Sequence, residues 1–165
     1  MTGADAFTGR LDPDMCVVTA TAEGERAGCL VGFFSQCSIS PQRFVVWLSK
    51  ENRTFRVARR ADRLAVHLLT RRQHALATLF GGSTEDDGVD KFAHVPCAER
   101  PDGAVVLDDV PAWFVGRIVL RADGGDHVGF VLEPVDAGGG AGGEQDEALL
   151  RLSDALDIAP GHPAD

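Results

Sequence analysis

The chain has 165 residues, 44% apolar and 25% charged, with 19 Gly and 8 Pro, a balance that excludes a wholly disordered or collagen-like polymer. A single domain over 1–165 is expected, and a chain of this length buries about 70% of its unfolded surface without needing a metal or a disulfide. The net charge of −9 is uneven: residues 1–82 hold 11 basic and 7 acidic residues, or +4, and residues 83–165 hold 5 and 18, or −13, which argues against a general nucleic-acid role because phosphate binding needs a broad positive surface.

Met15 to Thr21 is rich in β-branched residues and ends at Glu23-Gly24-Glu25, which predicts a strand and a tight turn. A return strand starts near Arg26. From Ala27 to Ile39 the apolar run carries Gly28 and Gly32, predicting one strand that bends where something approaches its backbone. Ser40-Pro41 stops it. Arg43 to Leu48 is a short, nearly continuous apolar run, read as a strand buried on both faces.

From Thr54 the period becomes helical: Phe55, Ala58 and Ala61 fall on one side, and Arg56, Arg59 and Arg60 on the other. Leu64 to Leu69 reads as the next strand, and Gln73 to Phe80 as a second short helix ended by Gly81-Gly82. Ser83 to Val89 is an acidic loop. Trp113 to Leu120 and Val128 to Val135 flank Asp123-Gly124-Gly125-Asp126, and Gly-Gly there supplies the positive φ angles of a tight antiparallel hairpin. Within the first strand Phe114, Ile118 and Leu120 are expected on one face and Arg117 and Arg121 on the other. Gly138 to Gly143 is a flexible linker by composition. Glu147 to Ile158 fits a strand or a helix, and Pro160-Gly161-His162-Pro163 is tail. About seven short strands and two short helices make a mainly antiparallel barrel with helical additions.

The longest apolar runs fall far short of the ~20 residues that span a bilayer, so no membrane role is expected. The N-terminus carries Asp5 and lacks an apolar core segment, unlike a secretory leader. Cys16, Cys29, Cys37 and Cys97 form no C-x-x-C pair, and they read as reduced thiols of a cytoplasmic protein. Cys37 is read as a small packing residue, with an oxidisable thiol as the alternative. His67 reads as structural or exposed. His74 and His94 have no partner at metal-ligand spacing, so no metal site is expected.

Leu48-Ser49-Lys50-Glu51-Asn52-Arg53-Thr54 leaves a strand and enters a helix. Asn52 or Thr54 can cap that helix, and its first N–H groups with Lys50 and Arg53 fit either a plain capped surface helix or a phosphate site. The basic residues from Lys50 to Arg72 are mostly a solvated face.

The order Val17-Val18-Thr19, Gly28 to Ser38 with Ser40-Pro41, Ser49 to Thr54, Lys91-Phe92-Ala93 and Gly125-Asp126-His127 resembles the flavin reductase-like branch of the FMN-binding split-barrel proteins. The likeness runs from about Met15 to Val135, and five motifs in order are more specific than any one of them. It implies a mainly β fold, a six-stranded antiparallel Greek-key split barrel with short flanking helices. The barrel core would span about 10–136, and 137–165 would be Gly-rich linker and tail.

It also implies a homodimer that binds FMN, with FAD as the alternative, and uses NAD(P)H as reductant. Gln36, Cys37 and Ser38 would meet the flavin ring and ribityl chain. Ser49, Lys50, Asn52 and Thr54 would hold the phosphate. His127 would face the ring or the nicotinamide as the catalytic candidate, with Phe92 beside it. The implied activity is an NAD(P)H-dependent flavin reductase supplying free flavin or a partner monooxygenase; the alternative is a non-catalytic FMN storage or sensor protein. Leu30, Gly32 and Phe33 stand where many relatives carry small hydroxyl residues, and Gln42 stands where a second proline is frequent. The aromatic and basic C-terminal ending usual in relatives is replaced by glycines and acids.

Overall fold

The computed structural model describes residues 3–82, 90–139 and 147–159; the predicted acidic loop at 83–89, the glycines at 140–143 and the tail from Pro160 lie outside them. After a short helix α1 (Asp5–Thr8), the strands β1 (Cys16–Ala22) and β2 (Glu25–Val31) form a hairpin. Its turn residues Glu23 and Gly24 both have positive φ, 53° and 81°, the twist-matched geometry of a two-residue hairpin. Strands β3 (Phe34–Ser38) and β4 (Arg43–Ser49), helix α2 (Arg53–Ala58), strand β5 (Arg63–Leu68) and helix α3 (His74–Gly82) follow. A hairpin of β6 (Cys97–Glu99) and β7 (Val105–Leu107) had no counterpart in the sequence pattern, and the long pair β8 (Ala112–Asp123) and β9 (His127–Gly139) completes the strands.

Seven strands form one antiparallel sheet in the order β2-β1-β5-β8-β9-β4-β3. Its two edges, β2 and β3, are joined in the chain by Gly32 and Phe33 alone. A link that short spans only about 10 Å, so the sheet must curl until its edges nearly meet. The Trp47 N–H donates to the Phe33 carbonyl at 2.9 Å just there. The architecture is thus the expected mainly β antiparallel one, with a seventh strand because Ala27–Ile39, read as one bent strand, is two strands on opposite edges.

Alternation sorts the core. Cys16, Val18 and Ala20 of β1 pack inside with Cys29, Val46, Leu48, Leu64, Val66, Phe130 and Leu132. Val17 faces the other way, into a second cluster with Phe80, Phe92, Leu107 and Leu150 under α3 and β7. Strand β1 is therefore covered on both faces. In β4, which was expected to be so, Val45 and Trp47 are only half-buried. Leu120 is 58% exposed and departs from the face of Phe114 and Ile118, since the β8–β9 register shifts between Ile118 and Leu120 and an extra residue reverses the facing.

Three glycine readings change as well. Of the hairpin pair only Gly125 has a positive φ, 128°; a Cβ on Gly124 would lie 2.6 Å from the Trp47 ring, so that glycine serves close packing. Gly138 and Gly139 continue β9 rather than open a linker, with Gly138 under the Trp113 ring. Gly81 and Gly82 belong to α3 instead of following it. The segment from Glu147 is neither strand nor helix: Thr70 bridges Leu149 and Asp14 bridges Arg151, before a single 3-10 turn at Leu152–Asp154. The Met15 and Leu69 backbones bind Leu150 from either side at 2.9 Å, and its side chain is fully buried.

His67 is structural. It is fully buried, with Nδ1 2.9 Å from the Val17 carbonyl and Nε2 3.1 Å from the Leu107 N–H. The ring therefore donates from Nδ1 and accepts at Nε2, joining β1, β5 and β7 in its neutral form. Burial pushes its pKa down from 6.5 to about 4.

Candidate functional site

Where the sheet edges meet, a hollow of about 220 Å³ opens beside β4. One wall is apolar: Met15, Leu30, Val31 and Trp47, with Phe33 at the mouth. The polar part of the lining is formed by Ser49, Asn52 and His127. Leu152, from the C-terminal 3-10 turn, closes one side. Trp47 reaches the hollow because its ring lies across Gly124 and Gly129, where a Cβ would fall 2.6 and 2.8 Å from the ring. The volume is below the ~300–1,000 Å³ of a typical small-molecule pocket, so it accommodates part of an extended, amphipathic ligand.

Ser49 and His127 are brought side by side by strand register, as paired residues of β4 and β9. The His127 ring lies 5.0 Å from the Phe33 ring, tilted by 52°. Its Nδ1 is 2.6 Å from Asp126 Oδ1, a contact that fixes Nδ1 as the donor. Asn52 caps α2, its Oδ1 accepting the Thr54 N–H at 2.9 Å. The Ser49 hydroxyl accepts the Glu51 N–H at 3.3 Å.

The remaining candidates are dispersed. Thr54 is buried, and its side chain hydrogen-bonds Cys29; burial pushes the Cys29 thiol up to about 11, which keeps it protonated and inert. The Lys50 ammonium turns to the β8–β9 turn and binds both Asp123 oxygens at 3.0 Å. Gln36, Cys37 and Ser38 lie on β3 beyond the hollow, the first two exposed and Ser38 half-buried. Phe92 is in the second core cluster, edge-on to Phe80 at 5.8 Å, and does not line the hollow.

Five backbone N–H groups around Lys50 already have acceptors. The N–H groups of Lys50, Asn52 and Phe55 donate to Asp126, Ser49 and Asn52 carbonyls, and those of Glu51 and Thr54 to side chains. Helix α2 has six residues. An anion here would be held chiefly by side chains. The basic residues nearby are paired with the β1–β2 turn: Arg60 binds Glu23 and Glu25, and Arg53 binds Glu25. Among the described residues no group of three or more His, Cys, Asp or Glu is arranged for a metal ion, and no helix is long and apolar enough to cross a membrane.

An apolar wall beside hydroxyl, amide and imidazole groups suits a flat aromatic ring with a polar tail. Residues 8–156 match the family model described as flavin reductase like domain. The chain is 32% identical over 125 residues to "Probable flavin reductase" of Rhizobium meliloti (strain 1021), covering 75% of this chain but 39% of that protein. It is 30% identical to FMN reductase (NADH) RutF of Agrobacterium fabrum, covering 86% and 78% of the two chains. The fold matches NADH:FAD oxidoreductase SgcE6 of Streptomyces globisporus C-1027 with a TM-score of 0.75 at 23% identity, covering 84% of this chain and 85% of that one.

Proposed function

The chain belongs to the flavin reductase-like domain family, and from that premise we propose that it is an NAD(P)H-dependent flavin reductase binding FMN or FAD. The observation that carries this reading is the hollow itself, in which Met15, Leu30, Val31 and Trp47 lead to Ser49, Asn52 and His127.

Flavin, when bound, supplies the ring that accepts hydride, and the chain needs no nucleophile of its own. In this reading the apolar wall excludes water from the ring, and Ser49 and Asn52 offer polar groups toward the ribityl chain. The β3 edge with Gln36, Cys37 and Ser38 offers backbone and side-chain partners, and Lys50 and Thr54 stand on the phosphate side. His127, its donor nitrogen fixed by Asp126, orients the nicotinamide at the mouth. Exposed Phe33 and Ile39, at 59% and 87%, support a homodimer in which a second copy covers these apolar side chains. Relatives include the reductase component of a 4-nitrophenol 4-monooxygenase/4-nitrocatechol 2-monooxygenase and the reductase subunit of a stachydrine N-demethylase, which supports a partner oxidising enzyme such as a monooxygenase, or free flavin, as acceptor.

The test is absorbance. Purified protein with catalytic FMN or FAD should oxidise NADH or NADPH, and His127→Ala should lower kcat/KM for the nicotinamide by about tenfold or more while flavin affinity changes by less than about threefold. Absence of both flavin binding and nicotinamide oxidation overturns the reading. A second reading, an FMN-holding protein without turnover, is favoured by one contact: Phe33 lies against His127 at the mouth a nicotinamide must enter. Tight FMN binding with no oxidation of NADH or NADPH would select it.

A further inference from the structure

We propose that Asp123 is a specificity-determining residue that withholds Lys50 from a flavin phosphate, so that the site prefers phosphorylated over unphosphorylated flavin only weakly. This rests on the flavin reading above and extends it to the ligand's charged end. Lys50 is stapled to the β8–β9 turn twice: its N–H donates to the Asp126 carbonyl at 2.9 Å, and its ammonium binds both oxygens of Asp123 at 3.0 Å. The carboxylate is itself anchored, because Asp123 Oδ1 accepts the Gly125 N–H at 2.9 Å, and the turn is set by the positive φ of Gly125. It cannot simply follow the ammonium toward an incoming anion.

The segment's other cation is also engaged. Arg53 is engaged by Glu25 at 3.1 Å and by the Arg26 carbonyl at 2.9 Å, while Glu51 adds a negative charge next to Lys50 in the chain. A phosphate dianion arriving here meets an ammonium already paired with a carboxylate, on a backbone in which the N–H groups of Lys50, Glu51, Asn52, Thr54 and Phe55 already have acceptors. Its attraction is reduced and its repulsion retained. Loss of one charge from an exposed pair is worth a factor of about three to five at low ionic strength, and less as salt screens it.

The experiment titrates the full chain with FMN and, separately, with riboflavin, which lacks the phosphate, at low and at high salt. Wild type should bind the two within about fivefold of each other. Asp123→Asn, which keeps an acceptor for the Gly125 N–H, should tighten FMN about three- to fivefold at low salt and leave riboflavin within about twofold. In the double variant Asp123→Asn with Lys50→Gln the gain should vanish, as a pairwise coupling requires. Asp123→Ser supplies a second variant should the first unfold. A wild-type preference for FMN of about a hundredfold or more, or equal responses of both flavins to the substitution, would overturn the proposal. If neither flavin binds wild type, the flavin reading itself fails.

Discussion

Lowering the pH from about 7.5 to about 5 should remove about 2 kcal/mol of folding stability through His67 alone. The neutral ring is held by the Val17 carbonyl and the Leu107 N–H, and burial depresses its pKa from 6.5 to about 4. The unfolded chain takes up the proton first as pH falls, so the contribution is complete above 6.5 and is withdrawn between 6.5 and about 4. Carboxylates held below their usual range, such as Asp102 beside Arg63 and the Ala104 N–H, lose their contribution only at more acid pH, since they must be protonated.

Urea denaturation followed by Trp47 and Trp113 fluorescence measures the effect. His67→Gln should be about 1–3 kcal/mol less stable at neutral pH, because one of the two buried backbone groups loses its partner. It should also lack most of the decline between pH 7.5 and 5. A variant as pH-sensitive as wild type over that range would show that another group titrates.

Gly129→Val should both destabilise the barrel and weaken flavin binding. Gly129 pairs with Trp47 across β4 and β9, and a Cβ there would lie 2.8 to 3.0 Å from three atoms of the ring. The indole is also laid against Gly124 and lines the hollow, so displacing it reshapes that wall. Overpacking of this kind costs about 1–3 kcal/mol, or a Tm lower by about 2–12 °C in a chain of this size. Flavin affinity should fall by more than about tenfold.

Gly138→Val is the control. It drives a Cβ into the Trp113 ring at 2.7 Å, a similar strain near the opposite end of β9. It should lower Tm while leaving flavin affinity within about threefold of wild type. Equal losses of affinity in the two variants would mean that Gly129 acts through global stability and not through the hollow.

What is written locally in a chain is legible without coordinates. Alternation and β-branched content placed β1, β4, β5 and the β8–β9 pair to within a few residues, and the arginine stripe after Thr54 placed α2, because each depends on period and on neighbours in sequence. Asn52 as a cap is of the same kind, since its partner is two residues away. The ordered motifs likewise led to the family that the comparison over residues 8–156 shows.

Tertiary structure decided the rest. That Gly32 and Phe33 bridge two sheet edges follows only when β3 pairs with β4 and β2 with β1, and the three-residue strands β6 and β7 persist because β7 packs on β1 and β5. Lys91-Phe92 was recognisable as a motif, yet the ring packs edge-on against Phe80 and does not line the hollow. Lys50 is a free cation in the sequence and a bound one in the fold, its partner 73 residues away. Period and turn chemistry are properties of adjacent residues. Which wall a side chain completes, and which charge is already spent, depends on strands far apart in sequence that meet only when the sheet closes.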